Sequence, residues 1–365
     1  MKQRLEWIDA MRGFTMMLVV ANHFLWISCG EIDHNSSSMQ FFLLFRMPLF
    51  FFISGFLSYR PNADWSFSGF RRMLGKKVRI QIIPTIVFFF AGAVLLHPKT
   101  FGDTVVTWFH SPTKGGYWFT LVLLYMFIVY YIYEYITNRI TTKSQNHKIT
   151  IFILWFLALC ASETCYLPKV FDWANGHRPA YTGWLVDSSV LELMRFFHFF
   201  VFGNIIHRYW HKTERIFEKP GFYLAIVAIA CVCTTEYIHL HLLHMQWANI
   251  THTLAQYSLL TLVFLFFRYY QQSFSKETRV GRSLQYIGTR TLDIYLLHYF
   301  FLPKLPEVGE FFNTHKGNFV LDTTLSFLAA IVIIGFCLVV SNALRISPFL
   351  KKYLFGREDK KPTRA

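Results

Sequence analysis

An arginine and a histidine interrupt the apolar segment DAMRGFTMMLVVANHFLW, residues 9–26. Arg12 and His23 are eleven residues apart, about three turns of an α-helix, so both side chains leave the same helix face. Histidine is a frequent general base near neutral pH, and arginine binds anions through paired N–H groups. Asp9, three residues before Arg12, can pair with it. The spacing fits a catalytic stripe and equally fits an interfacial ion pair with a packed histidine.

Three further apolar segments carry ionisable or polar side chains that fit a binding site: Arg46, Glu192, Arg195, Tyr295 and His298. Such residues are costly inside a membrane and usually face a protein interior or a water-filled cavity. At 1.5 Å per residue, the histidine in TRTLDIYLLHYFF lies about 18 Å into its helix, which can bring it to the level of the first histidine. Snorkelling, structural ion pairing and packing of a core histidine are the competing explanations.

A basic segment, FRRMLGKKVRIQIIP, follows the second apolar segment and is predicted to be a cytoplasmic loop. Lys76 and Arg79 are three residues apart and would share a face if the segment were helical. With Arg72 they can bind a phosphorylated ligand at the membrane surface. The alternative is that these charges only fix the topology of the chain.

These residues must be positioned by membrane-spanning helices. The chain of 365 residues is 54% hydrophobic, 19% aromatic and 16% charged, whereas a soluble domain has roughly 25% charged residues. An all-α membrane protein with about ten transmembrane helices is predicted, because a span needs about 20 apolar residues. The predicted spans are residues 9–29, 40–58, 80–97, 118–137, 149–167, 188–207, 221–239, 251–270, 286–303 and 320–343.

The positive charge of the chain is segregated by side. Of the 36 Lys and Arg residues, 28 fall on the side of the two termini and six on the other, so both termini are predicted to be cytoplasmic. The net charge of +15 is therefore explained by the topology of the chain and by attraction to anionic lipid headgroups. No nucleic-acid partner is expected. Residues 1–344 are predicted to form the transmembrane domain and 345–365 a basic cytoplasmic tail.

Neither the cysteines nor the histidines indicate a metal site. The six cysteines lack metal-binding spacing, and pairing of Cys160 with Cys165 is not expected. The histidines of HLHLLH (His239, His241 and His244) have only one carboxylate close by in sequence, so no metal is expected there.

Taken together, these segments resemble the integral-membrane acyltransferases called acyltransferase family three, which modify envelope sugars with acetyl or related groups. The resemblance rests on IDAMRGFTMMLVVANH, FRMPLFFFISGFL and the basic segment ending KKVRIQIIP. Weaker similarities are YWFTLVLLY, RFFHFFVFG and TLDIYLLH, in family-like order over most of the chain.

The resemblance implies a ten-span helical enzyme that uses a cytoplasmic acyl-CoA, acetyl-CoA above all, and binds no permanent cofactor. Arg12 and His23 match the essential pair of the family. Lys76 and Arg79 match its basic pair, although the family more often has arginine at the first position. The expected acceptor is an envelope polysaccharide or lipid-linked sugar, and the expected location is the bacterial inner membrane.

The mechanism expected from the resemblance assigns the remaining residues to the acceptor and the transition state. The sugar is oriented by Arg46, Arg195 and Glu192, and the oxyanion is stabilised by Arg195, His298 or Tyr295. Two alternatives stay open. Intramembrane Arg and His also mark proton-linked transporters and flippases. A structural membrane protein would need none of these side chains for activity.

Overall fold

The computed structural model describes residues 5–30, 36–140, 144–176, 180–240, 245–315 and 318–355. Within these ranges the regular structure is helical and contains no strand. The α-helices are α1 Glu6–His23, α2 Ser37–Ser58, α3 Phe67–Lys77, α4 Ile83–Leu96, α5 Phe101–His110, α6 Trp118–Ile140, α7 Ser144–Cys165, α8 Pro168–Asn175, α9 Ala180–Asp187, α10 Val190–Arg208, α11 Trp210–Phe217, α12 Pro220–Thr235, α13 Met245–Tyr269, α14 Arg279–Thr289, α15 Thr291–Leu297, α16 Pro306–Thr314, α17 Phe319–Leu344 and α18 Pro348–Phe355.

Eight helical stretches among the described residues are long and apolar enough to cross a membrane. They are Glu6–Ser28, Ser38–Ser58, Phe67–Leu96, Trp118–Ile140, Val190–Arg208, Pro220–Ile238, Asn249–Tyr269 and Phe319–Leu344. Ile149–Cys165 and Pro168–Asn175, which meet at a bend of 65°, supply a ninth if they form one broken span. The chain is therefore a multi-pass, all-helical membrane protein, while its orientation stays a prediction.

The predicted span at 286–303 is wrong as a single helix. α14 ends at Thr289, and Arg290 leaves the helical conformation with φ −115° and ψ 16°. α15 then restarts at Thr291, and a 3₁₀ turn follows at His298–Phe301. The charged Arg290 and Asp293 thus lie at a break between short helices, where an apolar membrane-long helix was predicted.

The basic segment is helical, which corrects the prediction of a loop. α3 carries Arg72 and Lys76, and a π-helical turn at Val78–Ile82 carries Arg79 and joins α3 to α4. The helix begins at Ser66, whose hydroxyl accepts a hydrogen bond from the Gly69 N–H at 3.1 Å. A continuous helical stretch therefore extends the third span well before residue 80.

The chain divides into two compact units: residues 1–59 with 199–337, and residues 60–198 with 338–365. In the first unit α1 packs against α2, α13, α14 and α15. The Trp7 ring contacts the rings of Phe264 at 5.2 Å and Phe56 at 6.4 Å between centroids. Most of α1 is buried, so its polar side chains are held among neighbouring helices.

Two glycines allow α1 and α14 to cross closely. A Cβ at Gly288 would overlap the backbone carbonyl of Asp9, and a Cβ at Gly13 would overlap that of Leu284. Small residues at such crossings let helix backbones approach. The same holds for Gly55, where a Cβ would overlap the backbone carbonyl of Phe200.

Substituting Gly288 with alanine should lower the free energy of unfolding by about 1–3 kcal/mol or more, because the added methyl group would overlap the Asp9 carbonyl. Thermal unfolding of the detergent-solubilised protein measures this as a lowered Tm. Gly335→Ala in α17 is the matched control, because no heavy atom lies within 4 Å of a Cβ there. Equal Tm values for the two variants would contradict the close crossing.

In the second unit, α4 contacts α18, the helix that contains residues 348–355 of the predicted tail. Phe88 contacts Phe355 at 6.3 Å, and the Arg345 guanidinium lies 4.2 Å from the Phe355 ring. Part of the segment predicted as a tail is therefore a packed helix. Residues 356–365 lie outside the described residues, as do the side chains of His239, His241 and His244.

Candidate active site

α1 and the segment formed by α15 and its 3₁₀ turn place Arg12 and His23 along one seam of the first unit. Arg12 Nη2 donates to Thr291 Oγ1 at 3.0 Å. Eleven residues further along α1, His23 Nδ1 lies 2.7 Å from His298 Nε2. Both side chains therefore face the same neighbouring segment, as their spacing predicts.

The contact between His23 and His298 defines the proton positions of the two rings. His298 Nδ1 lies 3.1 Å from the Ile294 carbonyl oxygen, which can only accept a hydrogen bond. A neutral His298 therefore carries its proton on Nδ1 and accepts at Nε2. His23 must then donate from Nδ1, which leaves the lone pair on its Nε2. This tautomer is inferred from the hydrogen-bond partners.

The burial of the two rings differs. His298 is 0% exposed, whereas His23 is half-buried. His298 thus supports its partner from inside the protein, and His23 can meet a reactant. A carbonyl, a supporting imidazole and a second imidazole with a free lone pair form a chain suited to general-base or nucleophilic chemistry.

Two aromatic rings beside His23 were not found from the sequence. Tyr299 lies 5.4 Å and Trp26 6.5 Å from the imidazole, between ring centroids. Trp26 belongs to a π-helical turn, Phe24–Ser28, that begins directly after His23, and such turns are frequent at functional sites. The signals available in the sequence were the position of Trp26 three residues after His23 and that of Tyr299 next to His298.

Arg12 is partly neutralised at the other end of the seam. Its Nη1 lies 3.5 Å from Asp9 Oδ1, the pair predicted from their spacing. The Asp9 carboxylate is buried, while 31% of the Arg12 side chain is exposed. The exposed part of the guanidinium can still bind an anion. Arg290 and Asp293, which are also three residues apart, form an ion pair at 3.8 Å.

Arg46 and Tyr295 belong to the same unit as His23, and Arg46 is close enough to His23 for an electrostatic interaction. Arg46 is half-buried in α2. Tyr295 is 7% exposed, and its ring is 6.1 Å from that of His298. Tyr299, rather than Tyr295, is the tyrosine whose ring lies beside His23.

The basic residues predicted to bind phosphate belong to the second unit. Arg72, Lys76 and Arg79 are all exposed. The pKa of Asp64 is held below its ordinary value by hydrogen bonds from Ser66 and by the nearby charge of Arg72. Lys77 is engaged differently, because its ammonium lies 3.4 Å from the centre of the Phe127 ring. The exposed cations can therefore meet an anionic ligand, with Arg72 partly offset by Asp64.

Glu192 and Arg195 also belong to the second unit and form the ion pair that their spacing predicts. Arg195 Nη1 donates to Glu192 Oε1 at 3.0 Å. Both side chains line a cavity near the start of α10. The two charges are paired at the cavity wall, which fits a ligand-binding role as well as a structural pair.

A protein-family model described as an acyltransferase domain matches residues 5–343. The match runs from the start of α1 to the end of α17, so it includes all the residues of the candidate sites described above. No curated protein and no solved structure matches the chain significantly.

Proposed function

The chain belongs to this acyltransferase family, and on that premise we propose that it transfers an acyl group, acetyl in the first instance, from cytoplasmic acyl-CoA to a sugar hydroxyl. The acceptor is an envelope polysaccharide or a lipid-linked sugar, and the membrane is the bacterial inner membrane. The observation that carries the proposal is the chain from the Ile294 carbonyl through His298 to His23, which leaves a lone pair on His23 Nε2.

In the proposed reaction His23 is the general base. Its Nε2 takes the proton of the sugar hydroxyl while the hydroxyl oxygen attacks the thioester carbonyl. The tetrahedral intermediate collapses, the C–S bond breaks, and the proton passes from His23 to the CoA sulfur. An ester and free CoA are formed, and the imidazole returns to its starting state.

The hydrogen-bond chain changes the expected role of His298. A neutral His298 donates its only N–H to the Ile294 carbonyl and accepts a hydrogen bond from His23 at Nε2. It therefore has no N–H left to donate to an oxyanion. We assign it the positioning of His23 instead. The Tyr299 hydroxyl is the better candidate oxyanion donor than that of buried Tyr295, because the Tyr299 ring lies beside His23.

A two-step route uses the same lone pair. His23 Nε2 attacks the thioester itself, CoA leaves, and the acyl-imidazole then passes its acyl group to the hydroxyl. This route predicts an acylated His23 when acyl-CoA is supplied without an acceptor. Mass spectrometry of the peptide that contains residue 23 distinguishes the two routes.

The decisive assay for the function is CoA release by purified protein in nanodiscs. We expect free thiol to appear from acetyl-CoA when an envelope glycan extract is added, and acetyl to appear on the glycan. A transporter would move its substrate without consuming acetyl-CoA. Absence of CoA release with every glycan extract and every short acyl-CoA would contradict the proposal.

For the donor, we propose that Arg79, Lys76 and Arg72 bind the phosphates of CoA and that Arg12 contributes to the binding of its phosphopantetheine. Exposed guanidinium groups suit phosphate because their N–H groups bind it bidentately. Lys76 keeps the charge but lacks the planar fork, so we expect it to contribute less than Arg79.

Replacing Arg79 with alanine should raise the KM for acetyl-CoA about 10-fold or more, as expected from the loss of a charge-assisted hydrogen bond. The measurement pairs acetyl-CoA with S-acetyl-pantetheine, which lacks the phosphates, and only the first substrate should be affected. Arg139→Ala is the control, because this exposed cation lies over Tyr135 at the end of α6. An equal loss with both thioesters would show that Arg79 does not act on phosphate.

A further inference from the structure

A cavity of about 200 Å³ lies in the second unit, beside the start of α10. Its lining residues include Glu192 and Arg195 of α10, Asn175 of α8, and the apolar side chains of Ala174, Val186 and Leu191. Ser189 Oγ donates to the Pro112 carbonyl at 2.7 Å, which ties the residue before α10 to the rim of the cavity. The cavity is therefore built from several elements of the second unit.

The polar wall of the cavity offers both donors and acceptors. Arg195 Nη1 is bound to Glu192 Oε1, while 21% and 22% of the two side chains remain exposed. Arg195 Nε is buried and finds no hydrogen-bond partner in the part of the chain that the structure describes. Because Nε is buried, a ligand in the cavity would meet the part of the Arg195 side chain that stays exposed.

Much of the remaining lining is apolar. Ala174, Val186 and Leu191 belong to one buried cluster with Cys165, and Trp173 packs against that cluster. A ligand that fits must present C–H groups to one side and hydrogen-bonding groups to the other. A pyranose ring has this arrangement, with C–H groups on its faces and hydroxyls at its rim.

The charge and the size of the cavity limit further which ligands it can bind. The pair of Glu192 and Arg195 carries no net charge, so the wall favours hydroxyl groups, which both donate and accept, over a carboxylate or a phosphate. Sites for drug-sized ligands measure roughly 300–1,000 Å³, so the size of this smaller cavity suits one sugar ring better than a whole CoA molecule.

We infer that this cavity binds one neutral sugar ring of the acceptor. Glu192 accepts a hydrogen bond from a ring hydroxyl, Arg195 donates to a ring oxygen atom, and the apolar wall contacts the C–H face. The inference rests on the proposed function and adds to it that the acceptor is a neutral glycan recognised through a single residue. The segments around the cavity belong to the side that the charge count places outside the cytoplasm.

The first test measures sugar binding by full-length protein in nanodiscs, using saturation-transfer NMR. The probes are methyl glycosides of glucose, galactose and rhamnose, with methyl glucuronide as the charged comparison. We expect at least one neutral glycoside to bind, and Ala174→Leu, which fills the cavity without touching the ion pair, to abolish its signal. Lys169→Ala, an exposed change in α8, should leave the signal unchanged. A signal only from the glucuronide, or one that survives Ala174→Leu, would overturn the inference.

The second test measures kinetics with Glu192→Gln, which keeps the shape of the side chain and removes its charge. The KM for the acceptor should rise about 10-fold or more, while the KM for acetyl-CoA stays within twofold. Thermal unfolding identifies variants that fail to fold, and Ala174→Leu then supplies the same kinetic comparison. CoA release with an unchanged acceptor KM in both variants would refute the sugar site and leave the acyltransferase proposal standing. Absence of CoA release in the wild type would refute the acyltransferase proposal itself.

Discussion

His23→Ala protein should lose acyl transfer almost completely, with kcat lowered about 10²–10⁴-fold, the usual contribution of a general base. The same loss is expected if His23 carries the acyl group, since either route needs the Nε2 lone pair. CoA release and acetyl incorporation into the glycan should fall together. The KM for acetyl-CoA should change little, because the cations proposed to bind its phosphates lie on other side chains.

The control for His23→Ala is another histidine of a spanning helix. His252 of α13 packs against the Tyr237 ring at 4.6 Å between centroids and has no assigned role in the reaction. His252→Gln should fold and transfer acyl groups at nearly the wild-type rate. A folded His23→Ala protein with wild-type transfer would exclude both the general-base and the acyl-enzyme mechanism.

Helical periodicity predicted the parts of the site that lie within one helix. The pairs Asp9 with Arg12 and Glu192 with Arg195 are each three residues apart within one helix, and both are present. Rise per residue also placed His298 at the level of His23, and the two rings are in contact. These predictions needed only α-helix geometry and the approximate start of each helix.

The contacts missed from the sequence depend on backbone irregularity or on tertiary packing. The break at Arg290 starts α15 at Thr291, which lets that hydroxyl reach Arg12. The π-helical turn after His23 changes the register of Trp26, and no residue spacing announces it. The proton acceptor of His298 is a backbone carbonyl, that of Ile294, which has no sequence signature.

Two segments were also predicted wrongly from their composition. A span is predicted from composition, but a helix ends where its backbone finds other hydrogen-bond partners. Residues 286–303 are apolar enough to suggest a span, yet they form two short helices and a 3₁₀ turn. The basic residues of α3 suggest a loop, yet they continue into α4 because their exposed side chains cost the helix little.

Replacing His298 with leucine should lower kcat about 10–100-fold, the usual effect of removing a group that orients a functional histidine. Without His298 Nε2 as the acceptor, His23 can carry its own proton on Nε2. That nitrogen then has no lone pair and cannot act as a base. His298→Gln should recover much of the lost rate, because its side-chain oxygen can accept the His23 Nδ1 proton. The KM for acetyl-CoA should stay unchanged in both variants.

The order of the kcat values of the His298 variants distinguishes a role in placing the His23 proton from a role in packing. A purely structural role for His298, which is fully buried, would lower folded yield and Tm for both replacements and would not favour glutamine. Leu297→Met, a volume-conserving change in the adjacent buried residue, measures how much the reaction tolerates repacking of this segment. If kcat is lowered equally in the His298→Gln and His298→Leu proteins while Leu297→Met has normal kcat, the proposed acceptor role of His298 is wrong. If kcat is higher in the His298→Gln protein than in the His298→Leu protein at equal Tm, only a hydrogen bond that fixes the His23 tautomer accounts for the difference.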